Sequence, residues 1–476
     1  MNTPTRRRLL AALSATAATA LSGCSSDDGT ASETPTGTPT GTPTDTATPT
    51  ATEEPATDEG TTTAEPVDPA ALRTEARELT VALADGEYER VSDAFTDEAA
   101  EVLTPERLEG AWNQTTGDRG PFRAIANATY SETTDGTHVV VVEVTFEGGV
   151  LNVRWTFDAN GEPVGLFIRP PQGEYSPPEY VDESAFEETE LTLPSPACDL
   201  GAALSMPTGD GPVPGVVLVH GSGPNDRDLT VGPNKIFRDL AHGLATRGYA
   251  VLRYDKRTYA CDVSATDDVT IDDVTVDDAV TAVERLREEE RVSAVYVAGH
   301  SQGGLAAPRI ARRSDADGMA LLAAPAGDLW ELLPMQNRHI FGLDGEISDA
   351  EQRRIDEITA QVEAISNGEF SEDEDLLGFD GSFWASLRAY DQTAVAADLD
   401  IPAIVQQGGR DFQVPPSDIE DWRAAVGDDR GTYHSYPSLD HLLFAGSGTS
   451  SLAKYYEPNN VDVDVVADLD AWLAAR

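Results

Sequence analysis

Ala294-Val295-Tyr296-Val297-Ala298-Gly299-His300-Ser301-Gln302-Gly303 is the stretch on which the reading of this chain turns. Five residues with strand character lead into Gly-x-Ser-x-Gly, and a helical pattern follows over 303–313. The motif alone is common by chance. At the junction of an apolar strand and a helix it marks a sharp turn that projects a serine hydroxyl out of a sheet. The turn forces Ser301 into a strained backbone conformation, and the flanking glycines leave room for neighbouring backbone. The helix N-terminus beyond favours negative charge. A phosphate-binding loop is the rival, but the Gly-Lys-Ser/Thr ending is missing.

A serine hydroxyl is a weak nucleophile at neutral pH, so it requires a base and a group that orients the base. In a strand–turn–helix topology of this kind the acid and then the histidine follow the serine along the chain. Only His434 and His441 lie late enough. His434 sits inside the strand pattern Thr432-Tyr433-His434-Ser435-Tyr436. His441 follows it in a loop and is the candidate base. Asp411, just past the apolar strand 401–407, is the candidate acid. Asp440 is a poorer choice, because a carboxylate adjacent in sequence to the base rarely reaches its ring. An oxyanion hole requires two backbone donors. The amide after the nucleophile, Gln302, is one. The Ser222 amide, with Gly223 as substitute, is the other, from His220-Gly221-Ser222-Gly223-Pro224-Asn225-Asp226-Arg227-Asp228. His220 reads as a support for that loop. The charged run 253–257 reads as Asp255 pairing with its neighbouring arginines, with contact to an acidic substrate group as the alternative.

Around these motifs, residues 184–476 alternate strand and helix. An opening hairpin (188–193, 201–206) precedes strands at 213–220, 249–254, 294–299, 318–323, 401–407 and 431–437. Helices are expected at 234–247, 274–290, 303–313 and 463–475. Uninterrupted apolar strands separated by helices imply a mostly parallel sheet covered on both faces. Residues 328–398 break the alternation and carry Trp330, Phe379, Phe383, Trp384 and Tyr390. An insertion there predicts a helical cap, whose aromatics pack it onto the body or line a pocket.

These residues resemble the α/β-hydrolase superfamily over nearly all of 184–476. The stretches 220–228, Arg253-Tyr254-Asp255-Lys256-Arg257 and Gln407-Gly408-Gly409-Arg410-Asp411-Phe412 resemble a bacterial and archaeal group related to dienelactone hydrolases and serine aminopeptidase-like esterases. The resemblance implies acyl transfer to water through an acyl-serine, with Ser301, Asp411 and His441 as triad and an ester or acyl small molecule as substrate. Small dienelactone hydrolases use cysteine where this chain has serine, which argues against dienelactone itself. A peptidase would use the same triad, a thioesterase is the lesser alternative, and a non-catalytic surface binder is a rival of another class. No HExxH, CxxC pair or phosphate loop occurs, so no metal or cofactor is expected.

The rest of the chain reads as address, tether and a smaller domain. Arg6-Arg7-Arg8-Leu9-Leu10 and an Ala/Leu stretch to Leu21 resemble a twin-arginine signal (1–23). Leu21-Ser22-Gly23-Cys24 resembles a lipoprotein box, with Cys24 as the lipidation site and the extracellular face of the cell membrane as location. Residues 24–68 are Thr/Pro/Gly-rich and acidic, a disordered tether. From 69 to 172, helices followed by strands at 123–131, 137–147, 150–158 and 163–169 predict a small α+β domain. It resembles a module of cystatin- or NTF2-like shape and has no convergent catalytic set. Pro170 to Pro178 reads as the linker.

With 84 Asp+Glu against 33 Lys+Arg, the net charge is −51. That excludes nucleic acid or an anionic lipid surface as an electrostatic partner. Only three lysines occur, Lys235, Lys256 and Lys454. An acidic, lysine-poor chain resembles proteins of salt-loving archaea, where molar salt cuts the Debye length to about 3 Å. Cys198 and Cys261 pair outside the cell or stay as reduced small hydrophobes.

Overall fold

The structure, a computed structural model, describes residues 67–476 apart from 117–118, 133–136, 147–148, 170–172, 262 and 264–266. The signal segment, Cys24 and the tether up to residue 66 lie outside the described residues.

The N-terminal domain begins with the helix Pro69–Ala84. Asp68 caps it by accepting from the Ala70 amide, and proline opens its first turn. Leu72, Ala76, Leu79 and Leu83 recur at helical spacing and are buried. They cover an antiparallel sheet of β1 (Phe122–Glu132), β2 (His138–Phe146), β3 (Gly149–Phe157) and β4 (Pro163–Arg169), paired in that order. Alternation sets the face: Val140, Val142, Val144 and Phe146 of β2 all point inward. Trp155 is fully buried there, and its indole donates to Thr80 Oγ1 at 2.9 Å.

The larger domain follows. Its strands are β5 (Phe186–Leu193), β6 (Leu200–Pro207), β7 (Val213–Val219), the short pair β8 (Thr230–Val231) and β9 (Asn234–Lys235), β10 (Ala250–Tyr254), β11 (Val292–His300), β12 (Gly318–Leu322), the short pair β13 (Asp375–Leu376) and β14 (Phe379–Asp380), β15 (Ala403–Gly408) and β16 (Gly431–Tyr436). Eight of them form one sheet in the order β16-β15-β12-β11-β7-β10-β6-β5. β5 and β6 pair antiparallel, as do β6 and β10; every other pair is parallel. β10, β12 and β15 are buried at every position, as expected of parallel strands with helices on both faces. Helices Ile236–Thr246 and Val463–Ala474 belong to the core on one face. Helices Asp277–Arg287 and Gln302–Ser314 belong to the core on the other. This is the α/β-hydrolase fold, with a separate antiparallel domain before it.

The expected linker is partly docked. Tyr175 Oη donates to Asp239 at 2.8 Å, and just past the linker Tyr180 Oη donates to the Val461 carbonyl at 2.9 Å. A disulfide joins Cys198 and Cys261, whose Cα atoms lie 5.7 Å apart. The insertion at 328–398 holds the helices Leu332–Phe341, Asp349–Asn367, Gly381–Arg388 and Gln392–Asp398. Trp330, Phe383, Trp384 and Tyr390 share one buried cluster with Ile271 and with Leu305 of the helix after Ser301. These aromatics therefore pack the cap onto the body. Tyr390 Oη donates to the Leu305 carbonyl at 2.8 Å, and the Arg309 guanidinium lies 4.0 Å from the Tyr390 ring centre.

Candidate active site

The candidate side chains sit where chain leaves the C-terminal ends of parallel strands, the usual site position in open α/β sheets. β11 ends at His300, and Ser301 follows with φ 54° and ψ −121°. A non-glycine residue there carries strain of about 1–3 kcal/mol. The Ser301 amide donates to the Leu322 carbonyl at 2.9 Å, tying the turn to the neighbouring β12. Gly303 is required for a steric reason: a Cβ there would lie 2.3 Å from the Val219 carbonyl oxygen. No side chain fits while the helix sits this close to β7.

Past β15, Asp411 is held from several sides. Its Oδ1 accepts from the Gln413 and Val414 amides at 2.8 and 3.0 Å. Its Oδ2 accepts from Gln407 Nε2 at 3.0 Å and lies 2.8 Å from His441 Nδ1. An ionised carboxylate only accepts, so Nδ1 carries the hydrogen. Both side chains are fully buried. The other ring nitrogen, His441 Nε2, is buried and has no protein partner. That is the nitrogen a base requires free for the serine proton. The sequence-derived Asp411 and His441 are thus brought together.

The rejected candidates occupy other places. His434 lies on β16 with Nδ1 3.1 Å from Asp468 Oδ2. Asp440 accepts from the Leu442 and Phe444 amides at 3.0 and 3.2 Å, closing its own turn. Burial pushes its carboxyl up to about 6, against those hydrogen bonds.

The loop 220–228 leaves β7 beside the serine. A Cβ on Gly221 would lie 3.2 Å from Ser301 Cβ. His220 Nε2 lies 2.6 Å from the Tyr254 carbonyl, which supports the loop from below. Burial pushes the His220 ring down to about 3, so it is neutral. Asn225 Nδ2 donates to the Ser222 and Gly223 carbonyls at 2.9 and 3.2 Å. Among the described residues, neither the Ser222 amide nor the Gln302 amide donates to a protein acceptor. Two free N–H groups beside the serine match what an oxyanion requires.

The charged run departs from its expected internal pairing. Asp255 takes Arg227, with its Oδ2 3.2 Å from Nη2. Arg253 pairs with Glu188 and Asp228, both at 2.8 Å, and Arg257 pairs with Asp278 at 2.7 Å. At a strand end the chain turns, so successive side chains fan out to different elements. The result still fixes a loop, because Arg227 and Asp228 belong to 220–228. Lys256, which the motif reading left without a role, is buried under the same loop. Its Nζ donates to the Gly221 carbonyl at 2.6 Å and to Gln302 Oε1 at 3.2 Å.

The cap reaches the acid loop. His339 stacks on Phe412 with ring centres 4.4 Å apart, and Gln336 Nε2 donates to the Gln413 carbonyl at 2.8 Å. Among the described residues, no group of three or more His, Cys, Asp or Glu is arranged to hold a metal ion.

Residues 216–447 match the family described as serine aminopeptidase, S33, and residues 76–166 match a family described as a protein of unknown function (DUF3887). The fold defines the class, an α/β-hydrolase. Over 389 residues the chain is 35% identical to Esterase EstD of Thermotoga maritima, covering 81% of this chain and 91% of that protein. The chain belongs to that family of carboxylic ester hydrolases. Among solved structures it is similar to Est1E from Butyrivibrio proteoclasticus, with TM-score 0.40 and 17% identity over 60% of this chain and 99% of the other. It is also similar to brefeldin A esterase, a bacterial homologue of human hormone sensitive lipase, with TM-score 0.39 and 20% identity over 64% and 80%.

Proposed function

We propose that the protein hydrolyses carboxylic esters of small molecules through an acyl-enzyme on Ser301, with His441 as base and Asp411 as its orienting acid. The observation that carries this reading is the buried His441–Asp411 pair at 2.8 Å, with the opposite ring nitrogen unpartnered. In the proposed sequence His441 Nε2 takes the Ser301 proton as Oγ attacks the ester carbonyl carbon. The Ser222 and Gln302 amides hold the resulting oxyanion. The intermediate collapses, and the alcohol leaves with the proton from His441. Water, deprotonated by the same nitrogen, then attacks the acyl-serine. Asp411 holds the ring in the required tautomer and stabilises the imidazolium.

Amide hydrolysis is the second reading, supported by the serine aminopeptidase description of the family matched over 216–447. It differs in requiring His441 to protonate an amine leaving group. The esterase relative, matched over more of the chain, favours the ester. The test is a panel of esters, thioesters and aminoacyl amides at high salt, with a fluorophosphonate probe. Ester turnover well above amide turnover, lost together with labelling in Ser301→Ala, supports the proposal. Equal labelling of Ser301→Ala, or no labelling at all, favours a binding protein.

We further propose that the enzyme is exported and held by lipid on Cys24 at the extracellular face of the cell membrane. The N-terminal sequence pattern supports this, and a Cys198–Cys261 disulfide suits an oxidising compartment. Membrane fractionation of wild type against Cys24→Ala tests it: release of the variant to the medium is the expected result.

A further inference from the structure

The two proposed oxyanion donors come from separate loops, one after β7 and one after β11. Something must hold both amides in place while the substrate changes charge. Lys256 lies two residues past the end of β10, and its own amide donates to the Asn225 carbonyl at 3.0 Å, fastening it to the loop 220–228. Its side chain runs beneath that loop and is 3% exposed. The Gly221 carbonyl it binds belongs to the same peptide unit as the Ser222 N–H. In a trans peptide those two groups point in opposite directions. A donor at 2.6 Å on the oxygen therefore sets the direction of the N–H and polarises it, since hydrogen bonds through one amide reinforce each other. The second contact, to Gln302 Oε1, restrains the residue that supplies the other amide. Thr275 Oγ1 lies 3.4 Å from the same Oε1.

We propose that Lys256 is a positioning residue for the oxyanion hole, bracing the Ser222 and Gln302 amides from beneath through the Gly221 carbonyl and the Gln302 side chain. The inference rests on the reading of Ser301 as nucleophile given above. The charges around Lys256 are few. Asp278, on the helix behind, is engaged by Arg257, and His220 is neutral. Burial pushes the ammonium down to about 7, and Asp278 pulls it partly back. Both oxygens can be served by an amine with three protons or with two.

The test compares full-length wild type, Ser301→Ala and Lys256→Met, with ester kinetics and melting temperature read for each. A brace acting only on the hole affects the transition state, not substrate binding. Lys256→Met is expected to lower kcat roughly 30-fold, somewhat less than deletion of a donor, with KM within about twofold. A kcat within threefold of wild type, or a loss carried by KM, overturns the proposal and leaves the Ser301 reading standing. Activity retained in Ser301→Ala overturns both. Should Lys256→Met fail to fold, Lys256→Cys is assayed before and after alkylation with 2-bromoethylamine, which rebuilds an ammonium at lysine length. A tenfold gain over identically treated wild type supports the brace, and no gain overturns it.

Discussion

His300 Nε2 lies 2.8 Å from the carbonyl oxygen of His441, so the residue before the strained serine holds the backbone of the proposed base. A carbonyl only accepts, so Nε2 carries the hydrogen and Nδ1 does not. Burial, and the His441 ring beside it, push His300 down to about 3 and keep it neutral. Replacing His300 by Phe keeps a flat ring and removes one hydrogen bond worth about 1 kcal/mol. Steady-state kinetics should show kcat reduced by roughly fivefold to tenfold with the protein still folded. An unchanged kcat would show that His441 is held well enough by Asp411 alone.

Asp411→Asn tests the acid. The amide cannot accept from His441 Nδ1–H through its nitrogen, and it faces the Gln413 and Val414 amides on the other side. The tautomer of His441 is then no longer enforced. The expected fall in kcat is about 10³–10⁴-fold, with residual activity above Ser301→Ala. Loss below tenfold would assign the acid to another carboxylate.

The Cys198–Cys261 disulfide closes a loop with a sequence separation of 63. Chain entropy alone makes such a link worth roughly 4 kcal/mol. The double variant Cys198→Ser/Cys261→Ser should unfold at correspondingly lower denaturant, and reductant should reproduce the shift in wild type. Turnover well below the melting temperature should be unaffected, because neither cysteine contacts the Ser301 site in the contacts described. Identical denaturation midpoints with and without reductant would count against the link.

Lys256 also makes a pH prediction. Its folded pKa, about 7, lies below the ordinary 10.5 of the unfolded chain. Between those values the unfolded state binds the extra proton, so this group's contribution makes stability rise with pH from about 7 to 10. Below 7 both states are protonated and the cost of burying the charge is present in full. Lys256→Met removes that slope. The stability difference, wild type minus variant, should therefore grow across pH 7.5–9.5, by at most about 1.4 kcal/mol per unit. A flat difference would place the folded pKa of Lys256 near its unfolded value.

Sequence made the candidate site legible because its signals are local. Ser301 and Asp411 each follow an apolar strand, His441 follows the more polar β16, and the ends of these parallel strands lie at one edge of the sheet. The accessory strands β1 to β4 could be read from alternation and turn glycines. The helix Asp418–Val426 was not expected; it is short, opens with three acidic residues in its first turn, and follows Pro415-Pro416. Partners across the fold were not legible either. The arginines of 253–257 reach Glu188, Asp228 and Asp278, and Lys256 reaches Gly221, all from elements far away in the chain. The two cysteines stayed undecided because spacing says nothing about the 5.7 Å between their Cα atoms.

Leu321 and Leu322 of β12 pair directly with Val405 and Gln406 of β15. The whole insertion at 328–398 therefore leaves and rejoins the scaffold between two adjacent strands. Its two joins lie side by side, so the segment can be exchanged as a cassette without moving the strands that lead to Ser301 and Asp411. The replacement must supply an apolar cover for Ile271 and Leu305, a stacking partner for Phe412, and donors for the Gln413 and Leu305 carbonyls.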